Sequence, residues 1–117
     1  MKKEEFRRRT MEFGLRVIRL VESLPKKQIA YVIGNQLLRA GTSVGANYRS
    51  ALRGKSRADF IAKMGIVEEE CDETIYWMEM LIEAGVVKRS LLLELLDEAD
   101  QIVAIAVSSI KTARARK

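Results

Sequence analysis

The chain has 117 residues, of which 48% are apolar and 32% charged, and its formal net charge is +5 at pH 7. This length fits one domain, residues 1–117, whose core needs no metal or disulfide. There is no histidine and one cysteine, which excludes Ser/His and Cys/His catalytic pairs, imidazole metal ligands and an internal disulfide. One proline, seven glycines and many strong helix formers predict an all-α protein.

No segment of the sequence resembles a secretion signal or a membrane span. The N-terminal MKKEEFRRRT is charged, and the longest aliphatic run, 102–107, is too short to cross a bilayer. The single cysteine suits a reducing compartment. We therefore expect a cytoplasmic protein with no membrane contact, and we interpret Cys71 as a buried core thiol.

Two helices are predicted in the first half of the chain. Apolar residues at three- and four-residue steps, beginning at Phe6, predict helix 1 over about residues 3–23. Pro25 ends this helix. Because proline is tolerated in a first helical turn, Pro25 is expected to open helix 2, over about residues 26–53.

Helices 3 and 4 follow with short connections. Ser56 and Asp59 form a capping-box pattern that begins helix 3 over about residues 57–84, and Gly85 is placed to end it. Helix 4 is predicted over about residues 90–112, before a basic tail at 113–117 that should fray. Four amphipathic helices joined this way predict an antiparallel up-down-up-down bundle.

Helices 1 and 3 carry more apolar residues than one bundle can cover, in rows set away from their core stripes. Helix 2 contains interior glycines, which lower the stability of a helix relative to alanine. Their presence suggests that another helix approaches closely at these positions. These features predict a homo-oligomer; the alternative is a skewed bundle that covers the rows internally. The candidate interface residues are Met11, Leu15, Ile18, Gly41, Gly45, Ile66, Trp77 and Met80.

Helix 2 also has polar residues beside its core stripe. Asn47 lies close to the stripe, so its amide is expected to be partly buried and to need hydrogen-bond partners. With Ser43, we interpret it as a buried polar pin rather than a ligand site.

Charge is segregated along the chain. From Lys26 to Lys63 there are eight Lys/Arg and one acid, whereas from Glu68 to Glu83 there are seven acids and no base. An arginine row on a rigid helix suits phosphate, so we predict an RNA or DNA contact surface. Its candidate residues are Arg39, Arg49, Arg53, Lys55 and Arg57, supplemented by Lys2, Lys3, Arg7 to Arg9 and the C-terminal cations. The alternative is that these arginines pair with carboxylates of helix 3 or of a neighbouring subunit.

The sequence gives little support to catalysis. Glu70 and Glu73 share a helical face with Trp77 and offer a conceivable cation or acid/base site, but an acidic surface run is much commoner. Neither GxxxxGK[ST] nor GxGxxG is present. We expect no catalytic residue, no metal site and no cofactor.

Several short motifs within residues 36–82 resemble a known family. They are QLLR at 36–39, SVxAN at 43–47, SRxxF at 56–60 and YW at 76–77, where x is a position outside the motif. The segment resembles the four-helix bundle proteins encoded in intervening sequences of bacterial 23S rRNA genes. Gly45 and Ser50 stand where many members carry proline and glutamate.

The resemblance implies an antiparallel four-helix bundle that assembles into a homopentameric ring. A related protein, the accessory variability protein of diversity-generating retroelements, is a basic pentamer that binds nucleic acid and a reverse transcriptase. The resemblance therefore implies a non-enzymatic homo-oligomer that binds RNA or DNA with low sequence specificity. The alternative is a protein-interaction scaffold that docks a partner polypeptide, such as a reverse transcriptase, with no direct nucleic-acid role.

Overall fold

The structure, a computed structural model that describes residues 1–116, is built from four helices joined by short connections. They are α1 (Lys3–Glu22), α2 (Gln28–Leu52), α3 (Arg57–Glu83) and α4 (Arg89–Ala115). No strand occurs in residues 1–116, which confirms the all-α prediction. None of these helices is long and apolar enough, within the same residues, to cross a membrane.

The connection between α1 and α2 differs from the prediction. Lys27 has an extended backbone (φ −131°, ψ 150°) and immediately precedes the first residue of α2. Pro25 therefore lies in the connection, where its carbonyl accepts a hydrogen bond from the Lys27 N–H at 2.9 Å. The expectation that Pro25 opens α2 is wrong, because two further residues precede the helix.

The ends of α3 follow their sequence signals. The Ser56 hydroxyl accepts a hydrogen bond from the Asp59 N–H at 3.0 Å, as a helix N-cap does. The Asp59 carboxylate accepts from the Lys55 N–H at 3.2 Å, one residue before the position that a regular capping box uses. Gly85 has a φ of +72° and follows the last turn, because glycine adopts this left-handed conformation without steric cost.

Helix α4 continues beyond its predicted end. Residues 113–115 are helical, and Ala113 is buried. The fraying tail is therefore wrong over these residues: burial of Ala113 keeps the last turn packed on the bundle. An Arg57 guanidinium N–H also donates to the Arg116 carbonyl just past this turn. The final residue of the predicted tail, Lys117, lies outside the described residues.

One continuous core fills the space between the helices. Phe13, Leu37, Met64, Met78 and Ile102 are fully buried and come from all four helices. Cys71 is also buried, and its Sγ donates to the Ala99 carbonyl at 3.3 Å. Burial raises the pKa of this thiol to about 12, with Asp72, Asp100 and Glu98 adding to the effect. The thiol is therefore protonated at neutral pH, as a core residue should be.

Neighbouring helices contact each other to very different extents. The pairs α1–α2, α2–α3 and α3–α4 pack along much of their length, whereas α1 and α4 touch only slightly. Phe6, near the start of α1, packs edge-to-face on Tyr48, near the end of α2, with 4.6 Å between ring centroids. Arg39 of α2 likewise reaches Glu70 of α3, and Cys71 of α3 reaches Ala99 of α4.

Both ends of the described chain, at Met1 and Arg116, lie near the α2–α3 connection. Arg57, at the start of α3, bonds to Arg116, and a shared groove is bordered by Met1, Leu52 and Arg116. We call this the terminal end and define it by residues 1–9, 48–63 and 107–116. The opposite end, with the connections at 23–27 and 84–88, is the loop end. The molecule measures 51 × 22 × 20 Å, so the two ends are well separated.

Candidate nucleic-acid interface

The terminal end concentrates the positive charge of the protein. It contains thirteen Lys/Arg and three acids, whereas residues 10–47 and 64–106 contain seven Lys/Arg and thirteen acids. The thirteen cations are Lys2, Lys3, Arg7, Arg8, Arg9, Arg49, Arg53, Lys55, Arg57, Lys63, Lys111, Arg114 and Arg116. The fold thus brings the basic N-terminus, the α2–α3 connection and the basic C-terminal segment into one surface.

Two of the three acids at the terminal end lie beside cations. Glu4 accepts hydrogen bonds from the Arg7 guanidinium, with 3.0 Å between Nε and Oε2, and this bond lowers the pKa of Glu4. Asp59 lies 3.8 Å from the Lys63 ammonium. Because these acids offset only a small part of the positive charge, the terminal end attracts anions.

Helix direction favours two of these cations, whereas α1 and α3 begin at the same end and their N-termini disfavour positive charge. Helices α2 and α4 both finish at the terminal end, with Arg49 and Arg114 in their last turns. The carbonyl groups at a helix C-terminus carry partial negative charge, so nearby cations are stabilised by about 0.3–1 kcal/mol each.

Four of the five predicted contact residues lie on this surface. Arg49, Arg53, Lys55 and Arg57 are exposed. Within residues 1–116, no carboxylate approaches these four side chains within 4.0 Å. Their positive charge is therefore free to meet an anionic partner.

Arg39 behaves differently from the other four. Its Nη1 lies 3.2 Å from a Glu70 carboxylate oxygen, and its Nη2 pairs with Glu73. The Trp77 indole N–H also donates to Glu73 at 3.0 Å. The alternative predicted from sequence, pairing with carboxylates of helix 3, thus describes Arg39. The other four stay candidates for a phosphate contact.

The same contacts determine the chemistry of Glu70 and Glu73. Both carboxylates are occupied by Arg39, and Glu73 is shared with the Trp77 indole. Among the described residues 1–116, no three His, Cys, Asp or Glu side chains are grouped so that they could hold a metal ion. The pair is therefore part of an ion-paired helix surface.

The two residues of the predicted polar pin bond within their own helix. The Ser43 hydroxyl donates to the Ala40 carbonyl at 2.8 Å, and the Asn47 amide donates to the Ser43 carbonyl at 2.9 Å. Both side chains are half-buried. Their donors are thus satisfied locally in α2, and these two bonds do not cross to a neighbouring helix.

The predicted interface glycines face the inside of the same chain. A Cβ at Gly41 would lie 2.7 Å from both γ-carbons of Val17, and one at Gly45 would lie 3.3 Å from the Thr10 carbonyl group. The close helix approach that these glycines permit is therefore the intramolecular contact of α1 with α2, rather than a contact between subunits.

The predicted apolar rows divide into exposed and half-buried residues. On α1, Met11 is 52% and Leu15 37% exposed. The half-buried members are Ile18, Ile66, Trp77 and Met80. Trp77 and Met80 pack against the core of the same subunit, so the free apolar surface of this set belongs mainly to α1.

Further exposed apolar residues lie near the loop end and were missed from sequence. Tyr31 and Val32 project from the first turns of α2, and Leu91 and Leu93 from those of α4; Tyr31 and Leu91 are each 73% exposed. Residues in a first helical turn can extend past the neighbouring helix, which a periodic pattern does not reveal. The only available signal was that Leu91 and Leu93 flank the core residue Leu92.

Comparison with known families places the chain in one of them. The sequence model for the "23S rRNA-intervening sequence protein" family matches residues 2–108. The chain belongs to this family. The match covers nearly the whole chain and confirms the resemblance seen within residues 36–82.

A solved structure supports the shared fold. The chain is similar to a protein of unknown function from the S23 ribosomal protein family of Bacteroides thetaiotaomicron VPI-5482, seen in a crystal structure at 1.70 Å resolution. The two are 37% identical with a TM-score of 0.88, and the match covers 95% of this chain and 99% of the other. No curated protein matches the chain.

Proposed function

We propose that the protein is a non-enzymatic homo-oligomer that binds RNA or DNA through its terminal end with low sequence specificity. The observation that carries this proposal is the excess of thirteen Lys/Arg over three acids at that end. Each cation that neutralises a phosphate releases a condensed counterion, and phosphate contacts carry no direct sequence information. A surface of this composition therefore favours nucleic acid over a neutral ligand.

The contact residues in this proposal are Arg49, Arg53, Lys55 and Arg57, with the cations of both chain ends as supplements. Arg39 is left out, because its guanidinium is paired with Glu70 and Glu73. A bidentate arginine suits phosphate oxygens, and the rigid end of α2 holds Arg49 in place. The absence of histidine from the sequence supports a binding role rather than a catalytic one.

Assembly is the second part of the proposal. The pairing of helix ends described above supports an antiparallel up-down-up-down bundle, in the cytoplasm. Subunits associate through the exposed α1 row of Met11 and Leu15, whose burial is worth about 25 cal/mol per Å² of apolar surface. The family resemblance favours a homopentameric ring. A ring would present several terminal ends to one strand, and such multivalency strengthens binding without any new type of contact.

Light scattering tests the assembly. We expect a multimer for the wild type and a lower mass for Leu15→Glu, because a charge in the interface must be desolvated. Leu91→Glu is the control, since Leu91 is exposed but lies outside the proposed contact. A monomeric wild type at micromolar concentration would contradict this part of the proposal.

Nucleic-acid binding is tested by titrating labelled RNA and DNA oligonucleotides between 50 and 200 mM salt. We expect the affinity to fall steeply with salt, and the double variant Arg49→Gln/Arg53→Gln to lower the slope of log affinity against log salt by about 1.4 to 1.8, or about 0.7 to 0.9 for each phosphate that is no longer neutralised. The control is Lys26→Gln/Lys27→Gln, which removes the same charge at the loop end. No binding at low salt, or equal losses for the two double variants, would refute the proposal.

A second candidate function rests on the exposed apolar residues near the loop end. Tyr31, Val32, Leu91 and Leu93 suit a scaffold that docks a partner polypeptide, such as a reverse transcriptase, while the cations serve solubility. In the titration above, this alternative predicts no retention of either nucleic acid even at the lowest salt.

A further inference from the structure

A groove runs along the seam between α1 and α4 at the terminal end. Its inner limit is near a polar clamp, in which the Arg9 guanidinium donates to Glu98 and to Gln101, with 3.0 Å from Nη2 to the Gln101 Oε1. Beyond this clamp the cavity has a volume of about 1040 Å³. Its α4 wall extends from Ala104 to Arg116, or about 18 Å at 1.5 Å per helical residue.

The groove has three chemically distinct zones. Its floor includes Phe6, Tyr48 and Phe60, three of the seven aromatic residues in the chain. Phe6 and Tyr48 are only 3% and 5% exposed, so the accessible apolar surface comes mainly from the half-buried Phe60, Leu52 and Ile105. Its α4 wall offers the hydroxyl groups of Ser108, Ser109 and Thr112. Burial raises the pKa of the Tyr48 phenol, which therefore stays neutral at physiological pH. A neutral phenol is able to donate and to accept a hydrogen bond.

All the charged residues at the rim of the groove are cations. Lys3, Arg57 and Arg116 border it, and the described residues contribute no acid to the lining. These three cations come from the beginning of α1, the beginning of α3 and the end of α4. The groove therefore opens within the positive surface proposed to bind nucleic acid.

We infer that this groove binds unpaired nucleotides, so that the terminal end selects single-stranded over double-stranded nucleic acid. Base rings have apolar faces that suit the floor, and donors and acceptors at their edges that suit the hydroxyl wall, while the phosphates meet the rim. In a duplex the base faces are stacked and the pairing edges are used, so bases cannot reach the floor. This inference rests on the proposed function and specifies its ligand.

Two other ligands share part of this chemistry. A fatty acid would use the floor and the rim but leave the hydroxyl wall without partners, which is costly for buried polar groups. An acidic amphipathic helix would use the floor and the rim, but its apolar face offers no hydrogen-bond partners for the three hydroxyl groups of the wall. The combination of a hydroxyl wall with a cationic rim therefore favours nucleotides.

The experiment compares a 12-nucleotide oligo-dT with a 12-base-pair duplex on the wild-type assembly at one salt concentration. A duplex carries twice the charge per unit length of a single strand, so a purely electrostatic surface would prefer the duplex. We expect the single strand to bind about tenfold more tightly, because base contacts add to the phosphate contacts.

A groove-filling substitution tests where this preference originates. Ser109→Leu adds bulk inside the groove without changing charge, and we expect it to weaken single-strand binding about tenfold while leaving duplex binding unchanged. Ser90→Leu makes the same chemical change on an exposed serine near the loop end and should alter neither. Ala104→Leu, on the exposed inner part of the wall, is a second filling variant that should repeat the effect of Ser109→Leu.

The outcomes separate this inference from the function on which it rests. If neither oligonucleotide binds, the proposed function fails as well. If both bind but the duplex binds as tightly or more tightly, or if Ser109→Leu behaves like Ser90→Leu, only the groove inference is overturned. Binding of oleate or of an acidic helical peptide that Ser109→Leu abolishes, without any effect on oligo-dT, also overturns it.

Discussion

Helix α1 meets its two neighbours in opposite ways. Against α2 it is so close that Gly41 has no room for a side chain beside Val17. Against α4 it makes few contacts, and the seam between them opens into the groove beyond the Arg9 clamp. The closed seam holds the bundle together through packing, whereas the open seam leaves polar and cationic groups available to a ligand. Packing stability thus comes from one side of this helix, and the binding that we propose uses the other side.

We expect the largest change in stability when one methyl group is added to the closed seam between α1 and α2. Gly41→Ala places a Cβ 2.7 Å from two carbons of Val17, which is fully buried and has one preferred rotamer in a helix. We expect a loss of about 1–3 kcal/mol in the free energy of unfolding, although alanine is the better helix former. Urea denaturation at fixed protein concentration measures this loss.

The matched control for Gly41 is Gly65, a glycine within α3. A Cβ at Gly65 meets nothing within 4 Å. Gly65→Ala should therefore stabilise the protein by about 0.5–1 kcal/mol through helix propensity alone. Substitutions that shift stability in the same direction at both glycines would contradict the closed-seam argument.

A second effect concerns the thiol that lies between α3 and α4. The pKa of Cys71 is raised from 9.0 to about 12, so between these values the unfolded chain releases a proton that the folded chain keeps. Stability contributed by the protonated thiol is present below about pH 9 and should fall by about 1.4 kcal/mol per pH unit above it. The measurement is the free energy of unfolding against pH, for the wild type and Cys71→Ala. Identical slopes in the two proteins would show that the thiol titrates normally.

The clamp across the open seam should have a smaller effect. Arg9 and Glu98 are half-buried, and their hydrogen bond raises the pKa of Arg9. Arg9→Gln should lower the free energy of unfolding by about 1 kcal/mol, a value between those of exposed and buried ion pairs. Thermal unfolding measures the cost, with Arg8→Gln as control because Arg8 is exposed and pairs with Glu12 of its own helix, at 3.5 Å. A loss as large as that of Gly41→Ala would mean that both seams hold the bundle equally.

The smallest effect is expected where bulk is added to the open seam. Ser109→Leu extends into the groove, so the unfolding free energy should change by no more than about 0.5 kcal/mol. Gly41→Ala gives the most direct contrast between the two seams. Ser109→Leu adds the larger side chain, yet we expect it to lower stability less. Chemical denaturation of both variants under one condition decides it, and strong destabilisation by Ser109→Leu would show that the groove is closed in solution.

Much of the fold could be predicted because its signals are local. Ser56 and Asp59 begin α3, and Gly85 ends it, through contacts within a few residues. The predictions were wrong at two helix ends, where the local signal does not decide the boundary. Pro25 is compatible with a first helical turn but lies in the connection, and residues 113–115 are helical because Ala113 is buried on the bundle.

The candidate site was only partly predictable because it depends on which helices meet. Arg39 and Arg49 lie on the same helix and look alike in sequence, but only Arg39 faces the carboxylates of α3. The groove was not foreseen, since its walls come from residues about a hundred positions apart, such as Phe6 and Thr112. Phe6, Tyr48 and Phe60, three of the seven aromatic residues, line the groove and are brought together only by the fold.

The shared position of Met1 and Arg116 has a practical consequence for handling the protein. An affinity tag or fluorescent fusion at either terminus would emerge beside the groove and the basic surface, where it could block a ligand or mimic one. A histidine tag would in addition bring metal-binding imidazoles to an end where the sequence has none. Insertion after Gly85, in the connection at the opposite pole, would keep a label about one bundle length away.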